Sequence, residues 1–347
     1  MTQLNNAFTL FLSLLVEAMP FLLLGVLFSG VLLLFIDERK LIAKLPKNPL
    51  LGAFVGSLVG FLFPVCECGN VPVARRLLMQ GVPTPVAIGF LLAAPTINPI
   101  VIWATWTAFR DQPEIVVLRV VFSLAIATII GWVFSTQADL QPILQPAIAA
   151  RWKYVVGSTK PELQPALQPI EAATPALLQS GTFLLGQSGQ TVRMDASVLQ
   201  ATLAATPPSQ PLSDRLRLLV DNTIQELREL GAVLVIGSAI AAIIQVTVPR
   251  EVIVSLGSGP VTSILAMMLL AGVVSICSTV DSFFALSFSS VFTSGSLLAF
   301  LVFGPMIDLK SIGLMLSIFK PKAVIYLFAL AAQLTFLLTL FVNLQII

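Results

Sequence analysis

Three consecutive residues, Cys66, Glu67 and Cys68, are the part of this chain whose types and spacing could do chemistry. Cysteine thiolates are soft ligands that suit monovalent copper, zinc and other thiophilic species. A third cysteine, Cys277, lies in the second half of the chain. If folding brings Cys277 opposite Cys66, three thiols could surround one trivalent thiophilic centre such as arsenic(III). The sequence predicts Cys66 and Cys68 as metal ligands and Cys277 as a further substrate contact.

A simpler interpretation of the cysteines is that they only fill space. Cysteine in an apolar segment packs as a small hydrophobic residue, and a Cys-x-Cys pair by itself is a weak motif. Packing is favoured for Cys277 taken alone. Function is favoured for Cys66 and Cys68, because they flank a glutamate within a run that contains proline and glycine.

Helix-breaking residues interrupt apolar stretches twice in each half of the chain. In the first half the breaks are 64–72 and 95–99, and in the second half they are 277–281 and 304–308. Non-helical backbone at membrane depth is stable only where protein or a water-filled cavity satisfies its hydrogen bonds. Interruptions at corresponding positions of two halves point to the binding site of a transporter.

Five carboxyl groups lie in or beside these apolar segments. An ionisable group within a membrane span is costly and points to function, and burial favours its protonated form, which suits a proton-coupled carrier. The predicted proton-coupling residues are Glu67, Asp281, Glu17, Glu229 and Asp308. Glu67 and Asp281 are also predicted to contact the substrate. For Glu17 and Glu229 the open alternative is an interfacial position where the charge reaches water.

Two asparagines, Asn70 and Asn98, bring neutral hydrogen-bonding groups to the breaks of the first half. Asparagine caps interrupted helices and satisfies freed backbone groups. Capping does not prevent substrate contact, so both residues are predicted to do both.

Composition places the chain among multi-pass membrane proteins. Of its 347 residues 57% are hydrophobic and 10% are charged, whereas soluble proteins carry about 25% charged residues. The mean hydropathy is +0.96. No basic tract indicates a nucleic-acid partner, so the expected partners are membrane lipid, a small-molecule or metalloid substrate and a second copy of the chain. Histidine is absent, which removes the commonest metal ligand and proton shuttle, and no cofactor is predicted.

The predicted fold is an all-α polytopic membrane protein of two pseudo-repeats with broken helices. Residues 1–134 form the first transmembrane repeat and 214–347 the second, each with four hydrophobic segments. Residues 135–213 are rich in Pro, Gln, Ala, Ser and Thr, which predicts a long, mostly irregular extramembrane linker. Ser213 and Asp214 are expected to cap the helix that follows the linker.

Spacing supports the internal repeat. Glu17 precedes Cys66 by 49 positions, and Glu229 precedes Cys277 by 48. The proline of the next break follows each cysteine by 29 and 28 positions, respectively. Several spacings that agree in the same order favour a duplicated unit.

The interrupted second segment of each half determines the topology. In the first half its pieces, 50–63 and 73–80, are each shorter than the roughly 20 residues that a span needs. If the two pieces together span, the chain has eight transmembrane helices. If they form a re-entrant hairpin, each half has three spans and the halves insert with opposite orientation. Eight spans is the favoured prediction. The lysines and arginines within 39–47 and 310–322 favour those loops on the inner side.

A motif series in the first half is similar to that of a known family. It comprises Cys66, Cys68 and Gly69, then Val-Pro-Val-Ala at 71–74, the basic Arg75, Gly-Val-Pro at 81–83 and Leu-Ala-Ala-Pro-Thr-Ile-Asn-Pro at 92–99. The series resembles that of a family of predicted bacterial permeases, whose best-known branch is the organoarsenical-efflux permeases. The resemblance implies a permease with two four-helix halves around a variable linker. Glu67 departs from the family pattern, in which a small residue is expected, and points to a cationic or differently charged substrate.

The main functional prediction is therefore a permease rather than an enzyme. It would export a small thiophilic or organometal(loid) solute across the inner membrane by alternating access. One alternative is a membrane-embedded thiol oxidoreductase that cycles Cys66 and Cys68 between thiol and disulfide. The other is a non-transporting subunit of a membrane complex, with the linker as the contact surface.

Overall fold

The chain folds into helices apart from one short antiparallel hairpin in the described residues. The computed structural model describes residues 2–35, 45–46, 48–63, 66–136, 143–146, 148–149, 183–185, 191–193, 212–247 and 259–345. The elements are α1 (Thr2–Phe35), α2 (Pro49–Val59) with a 3-10 turn (Gly60–Leu62), α3 (Glu67–Met79), α4 (Thr84–Ile97), α5 (Pro99–Ala108), α6 (Pro113–Ser135), β1 (Phe183–Leu185), β2 (Thr191–Arg193), α7 (Leu212–Thr247), α8 (Pro260–Val274), α9 (Asp281–Leu286), α10 (Ser294–Met306), α11 (Leu309–Met315) and α12 (Pro321–Gln345). The predicted all-α membrane class is confirmed.

Six helical segments of the described chain are long and apolar enough to cross a membrane. Three precede the hairpin and three follow it: Leu4–Gly30, Thr84–Ala108, Pro113–Ser135, Leu219–Thr247, Ser294–Met315 and Pro321–Gln345. The apolar helices Pro49–Leu62 and Pro260–Val274 are shorter than a span. Six single helices of the described chain thus qualify as spans. Whether the broken second segment of each half spans, giving eight, or is re-entrant, giving three per half, stays a prediction.

The first cysteine-bearing break is shorter than predicted. The helix resumes at Glu67, so that 67–72 is helical and Pro72 lies inside α3. Pro72 lacks the N–H that would bond the Cys68 carbonyl, which membrane helices tolerate where neighbouring groups satisfy the freed carbonyl. The break predicted at 95–99 is confined to Asn98, with Pro95 inside α4, and the one predicted at 304–308 is confined to 307–308, with Pro305 inside α10.

The same order of elements occurs in both halves of the described chain. A long helix comes first, then a short apolar helix, a short helix after a break, an interrupted pair and a final long helix. The helices α2, α4 and α6 pack against one another, and so do α8, α10 and α12. The duplication itself stays a prediction, as do the domain boundaries.

Contacts between the halves cluster along their first helices and around the breaks. The long helices α1 and α7 pack side by side, and α4 packs on α10. The short helices that follow the breaks also cross over, with α3 on α11 and α5 on α9. The breaks therefore lie in the interface between the halves.

Two close backbone approaches depend on glycine. A Cβ at Gly25 of α1 would lie 2.3 Å from the carbonyl oxygen of Gly69 in α3, and one at Gly56 of α2 would lie 2.2 Å from the carbonyl oxygen of Val86 in α4. Small residues let membrane helices approach at such distances, where packing replaces the hydrophobic driving force. The Gly25–Gly69 contact holds α3 directly after its two cysteines.

The region predicted as a linker contains ordered pieces. Ile143 and Leu144 are buried, and the backbone N–H of Gln145 donates to Ile318 O at 2.9 Å. Lys320 N–H donates in turn to Ile143 O at 2.8 Å. The beginning of the linker therefore packs on the turn between α11 and α12. At its far end α7 begins at Leu212, so the expected caps Ser213 and Asp214 lie inside the helix.

We expect Gly25→Ala to destabilise the protein. Its Cβ overlaps backbone of α3, which has no flexible end that could yield, and overpacking of this kind costs about 1–3 kcal/mol. Gly231→Ala in α7 is the matched control, because nothing lies within 4 Å of a Cβ there. Thermal unfolding of the purified variants in detergent measures the difference. Equal melting temperatures for the two variants would contradict the close contact.

Candidate functional site

The two breaks that carry the cysteines meet inside the protein. One ligand atom from each of Cys66, Glu67 and Cys277 lies within 4.8 Å of the others, so the two sulfur atoms are close neighbours. The three residues are buried, with 4%, 5% and 3% of their surface exposed. Cys66 and Glu67 come from the first half of the chain and Cys277 from the second. We call this set the Cys66–Glu67–Cys277 cluster.

The start of α3 positions Cys66 and Glu67. Cys66 caps the helix in an extended conformation, and its carbonyl accepts the backbone N–H groups of Gly69 at 3.1 Å and Asn70 at 3.2 Å. Glu67 is the first helical residue. A helix N-terminus carries partial positive charge, which stabilises a thiolate or a carboxylate placed there. The start of α3 therefore directs both side chains to the same buried site.

A sharp turn positions Cys277. Ser275 ends α8 with φ 50°, in the left-handed region, a conformation that costs energy in any residue with a side chain. Its hydroxyl accepts the backbone N–H of Leu309 at 3.2 Å, which connects this break to the one before α11. Thr279 donates its hydroxyl to Sγ of Cys277 at 3.6 Å. Side-chain hydrogen bonds of Ser275 and Thr279 therefore fix the chain on both sides of Cys277.

Cys68 lies beside the cluster rather than within it. The set of mutually close ligand atoms contains Glu67 instead. The predicted meeting of three thiols is therefore only partly what the structure shows. Cys66 and Cys277 lie close together, and the third close donor is a carboxylate.

Two polar side chains of α3 have unused hydrogen-bonding atoms. Oε2 of Glu67 and both polar side-chain atoms of Asn70 have no hydrogen-bond partner among the described residues, although both residues are buried. Residues three positions apart lie on the same face of a helix. Glu67 and Asn70 therefore present unsatisfied polar atoms on one face, where a bound solute could satisfy them.

A buried lysine lies next to the cluster. Lys310, in α11, is 1% exposed, and its ammonium group interacts electrostatically with Asp308, Glu67 and Glu17. Asp308 caps α11 by accepting the backbone N–H of Ser311 at 2.6 Å, while its second carboxylate oxygen has no hydrogen-bond partner in the described chain. The carboxylates of Asp308, Glu67 and Glu17, three of the predicted proton-coupling residues, thus all interact with the charge of Lys310. Their role in coupling stays a prediction.

Asp281 belongs to a separate buried ion pair. Arg119 of α6 donates from Nη2 to Oδ2 at 2.6 Å and from Nη1 to Oδ1 at 3.2 Å, and the two side chains are 1% and 3% exposed. Nη1 of the arginine also donates to the hydroxyls of Thr105 at 2.7 Å and Ser282 at 2.9 Å. Because α5 and α6 belong to the first half, this network fixes the start of α9 against that half. The predicted contact of Asp281 with substrate is not tested by this pairing.

Glu229 and Asn98 also have protein partners. Arg75 donates from Nη1 to a carboxylate oxygen of Glu229 at 3.3 Å, and the glutamate side chain is 32% exposed. Oδ1 of Asn98 accepts the backbone N–H of Val101 at 2.9 Å, so the predicted capping role of Asn98 is confirmed. Neither residue is a member of the cluster, and their roles in coupling and substrate contact stay predictions.

Two buried charged residues, Arg119 and Lys310, were not among the predicted site residues. Arg119 is a lone charge within an apolar segment, and an intramembrane charge of that kind is itself a sign of function. Lys310 contributed only to the charge of a loop in the topology argument, whereas the structure buries it beside Glu67. Its position two residues after the break at Asp308 was the available signal.

The cluster is buried within the described chain. Cys66, Glu67 and Cys277 are nine-tenths or more buried, and helices of both halves meet around the breaks that carry them.

Comparisons with known proteins agree on one family. Residues 3–344 match the family model ArsP_1, described as "Predicted permease". The chain is 36% identical over 325 residues to "UPF0718 protein YcgR" of Bacillus subtilis (strain 168), which covers 94% of this chain and 92% of that protein. It is 32% identical over 316 residues to a Streptococcus mutans serotype c protein named "Putative two-component membrane permease complex subunit", covering 91% of this chain and 88% of that one. No solved structure matches.

We expect Arg119→Met to destabilise the protein, because it leaves the buried Asp281 carboxylate without its cation. Removing one member of a buried pair costs about 3–5 kcal/mol, whereas replacing both members with neutral groups costs much less. Thermal unfolding should therefore show a large loss for Arg119→Met and partial recovery in Arg119→Met combined with Asp281→Asn. Arg75→Met is the control, since its partner Glu229 is partly exposed. A double variant no more stable than Arg119→Met would contradict the pairing.

Proposed function

The chain belongs to the predicted permease family, and from that membership we propose that it carries a small thiophilic solute across the membrane at the Cys66–Glu67–Cys277 cluster. The family and the apolar helices make it a multi-pass membrane protein. The solute class we propose is a soft metal ion or an organometal(loid) compound. The proposed location is the inner membrane and the proposed direction is export.

The closeness of Cys66 and Cys277, whose sulfur atoms lie within 4.8 Å of each other, carries this proposal. Thiols that serve only as packing have no need to meet across two interrupted helices from different halves of the chain. Here they meet next to Glu67, whose Oε2 has no hydrogen-bond partner in the described chain. An ionisable group buried at membrane depth is expensive, so its retention favours a ligand that binds it during the transport cycle.

Alternating access follows from where the cluster lies. A solute held between two halves changes its exposure from one side to the other when the halves rock about it, as in carriers with discontinuous helices. The cluster takes donors from both halves and is buried, which corresponds to the occluded stage of such a cycle. Asn70 would complete the site with neutral polar atoms.

A role within a larger complex is a second candidate. The Streptococcus mutans relative is named as a subunit of a two-component membrane permease complex. If this chain also needs a second component, purified chain in liposomes will not transport, and a tagged chain will copurify with one membrane or extracytoplasmic protein in defined stoichiometry. Transport by the purified chain alone would remove this candidate.

We expect Cys66→Ser and Cys277→Ser each to lower export strongly, by about tenfold or more, because each removes a thiolate donor from the cluster. Cys68→Ser should have a smaller effect, since Cys68 lies outside the mutually close set. Uptake of arsenite, an organoarsenical(III) or Cd²⁺ into everted vesicles measures export at matched protein levels. Undiminished uptake by the Cys66→Ser and Cys277→Ser double variant would remove the thiols from the mechanism.

A further inference from the structure

We propose that the solute bound at the cluster is a divalent thiophilic cation, of which Zn²⁺ and Cd²⁺ are examples, and that Glu67 is its third protein ligand. This inference rests on the proposed transport function and narrows its substrate class. It revises the predicted ligand pair Cys66 and Cys68, because the structure places Glu67 and Cys277 with Cys66 instead.

The donor types favour a borderline divalent cation. Two sulfur atoms and one carboxylate oxygen form the close set. Zinc is bound in proteins by this combination of cysteine sulfur and Asp or Glu oxygen. Monovalent copper prefers thiolate and thioether ligands alone, and magnesium or calcium prefers oxygen alone. A trivalent metalloid that takes three thiols would require Cys68 in the close set, where Glu67 stands.

The spacing of the donors is compatible with a single ion. Zinc lies about 2.3 Å from sulfur and about 2.0–2.2 Å from carboxylate oxygen, so donors around one tetrahedral ion are roughly 3.5 Å apart. The three ligand atoms here all lie within 4.8 Å of one another. Side-chain rotation and a small movement of the two breaks would shorten the distances between the ligand atoms by the about 1 Å that a single ion requires.

Two buried features favour a cation as occupant. Oε2 of Glu67 is unpartnered in the described chain although the residue is 5% exposed. Both polar side-chain atoms of Asn70, one turn further along α3, are likewise buried without a hydrogen-bond partner in the described chain. Coordination releases the protons of the two thiols to solvent, so charge and atoms balance.

A site with three protein ligands also suits an ion that must be released during transport. Structural zinc sites have four protein ligands and hold the ion permanently, whereas sites with three leave one position open for exchange. Because the ligands come from both halves of the chain, separating the halves would remove Cys277 from Cys66 and Glu67. The ion would then keep only two protein ligands and dissociate.

The test is equilibrium binding to the purified full-length chain in detergent, with Cd²⁺, Zn²⁺ and phenylarsine oxide as separate probes. Phenylarsine oxide needs two neighbouring thiols and no carboxylate. We expect Glu67→Gln to weaken Cd²⁺ and Zn²⁺ binding by about tenfold or more and to leave phenylarsine oxide binding unchanged. Glu67→Asp should restore part of the metal affinity. Glu114→Gln, at the exposed start of α6, is the matched amide control and should bind like the wild type.

The outcomes separate this inference from the proposed function. If Glu67→Gln binds Cd²⁺ and Zn²⁺ as tightly as the wild type, or loses the metals and phenylarsine oxide equally, Glu67 is not a specific cation ligand and the inference is overturned. If the wild type binds neither metal while its transport still requires Cys66 and Cys277, the proposed function stands and the divalent class is wrong. Transport that does not require these thiols overturns both.

Discussion

Lipid cannot hydrogen-bond a peptide group, and this constraint determines where the chain can be irregular. Every interruption of an apolar helix must be enclosed by protein. The breaks at Cys66, Asn98, Cys277 and Asp308 therefore lie in the interface of the two halves, where side chains and neighbouring backbone satisfy them. Asn98 and Asp308 cap the helices that follow them, and Ser275 receives a backbone N–H from the neighbouring break. The same enclosure gathers the polar side chains that the breaks carry.

Helix N-termini give this enclosed region its electrostatic character. Cys66 and Glu67 lie at the start of α3, and Asp308 lies at the start of α11. Partial positive charge at a helix start stabilises anionic side chains, so acidic groups and thiols are tolerated there without a full cation for each. Lys310 and Arg119 add two buried positive charges to the described interface, and Arg119 pairs directly with Asp281.

The sequence was sufficient for features that depend on local chemistry. Proline, glycine and asparagine located the breaks, and the apolar runs located the long helices. The sequence was not sufficient for features that depend on where a helix begins or on contacts between residues far apart in the chain. Pro72 was placed in a break because proline disfavours helix interiors, but it lies inside α3, since membrane helices tolerate proline where neighbouring groups satisfy the freed carbonyl. The pairing of Arg119 with Asp281 joins residues 162 positions apart, and no local pattern encodes it. The replacement of Cys68 by Glu67 in the close set likewise depends on how α3 starts.

The docking of 143–145 on the turn between α11 and α12 has a mechanical consequence. This strip follows α6 of the first half, yet its backbone exchanges hydrogen bonds with Ile318 and Lys320 of the second half, and the Gln145 amide donates to Leu316 O at 2.9 Å. These hydrogen bonds tie the end of the first half to the second half. Any displacement of α11 and α12 relative to α6 therefore either carries 143–145 along or breaks these bonds.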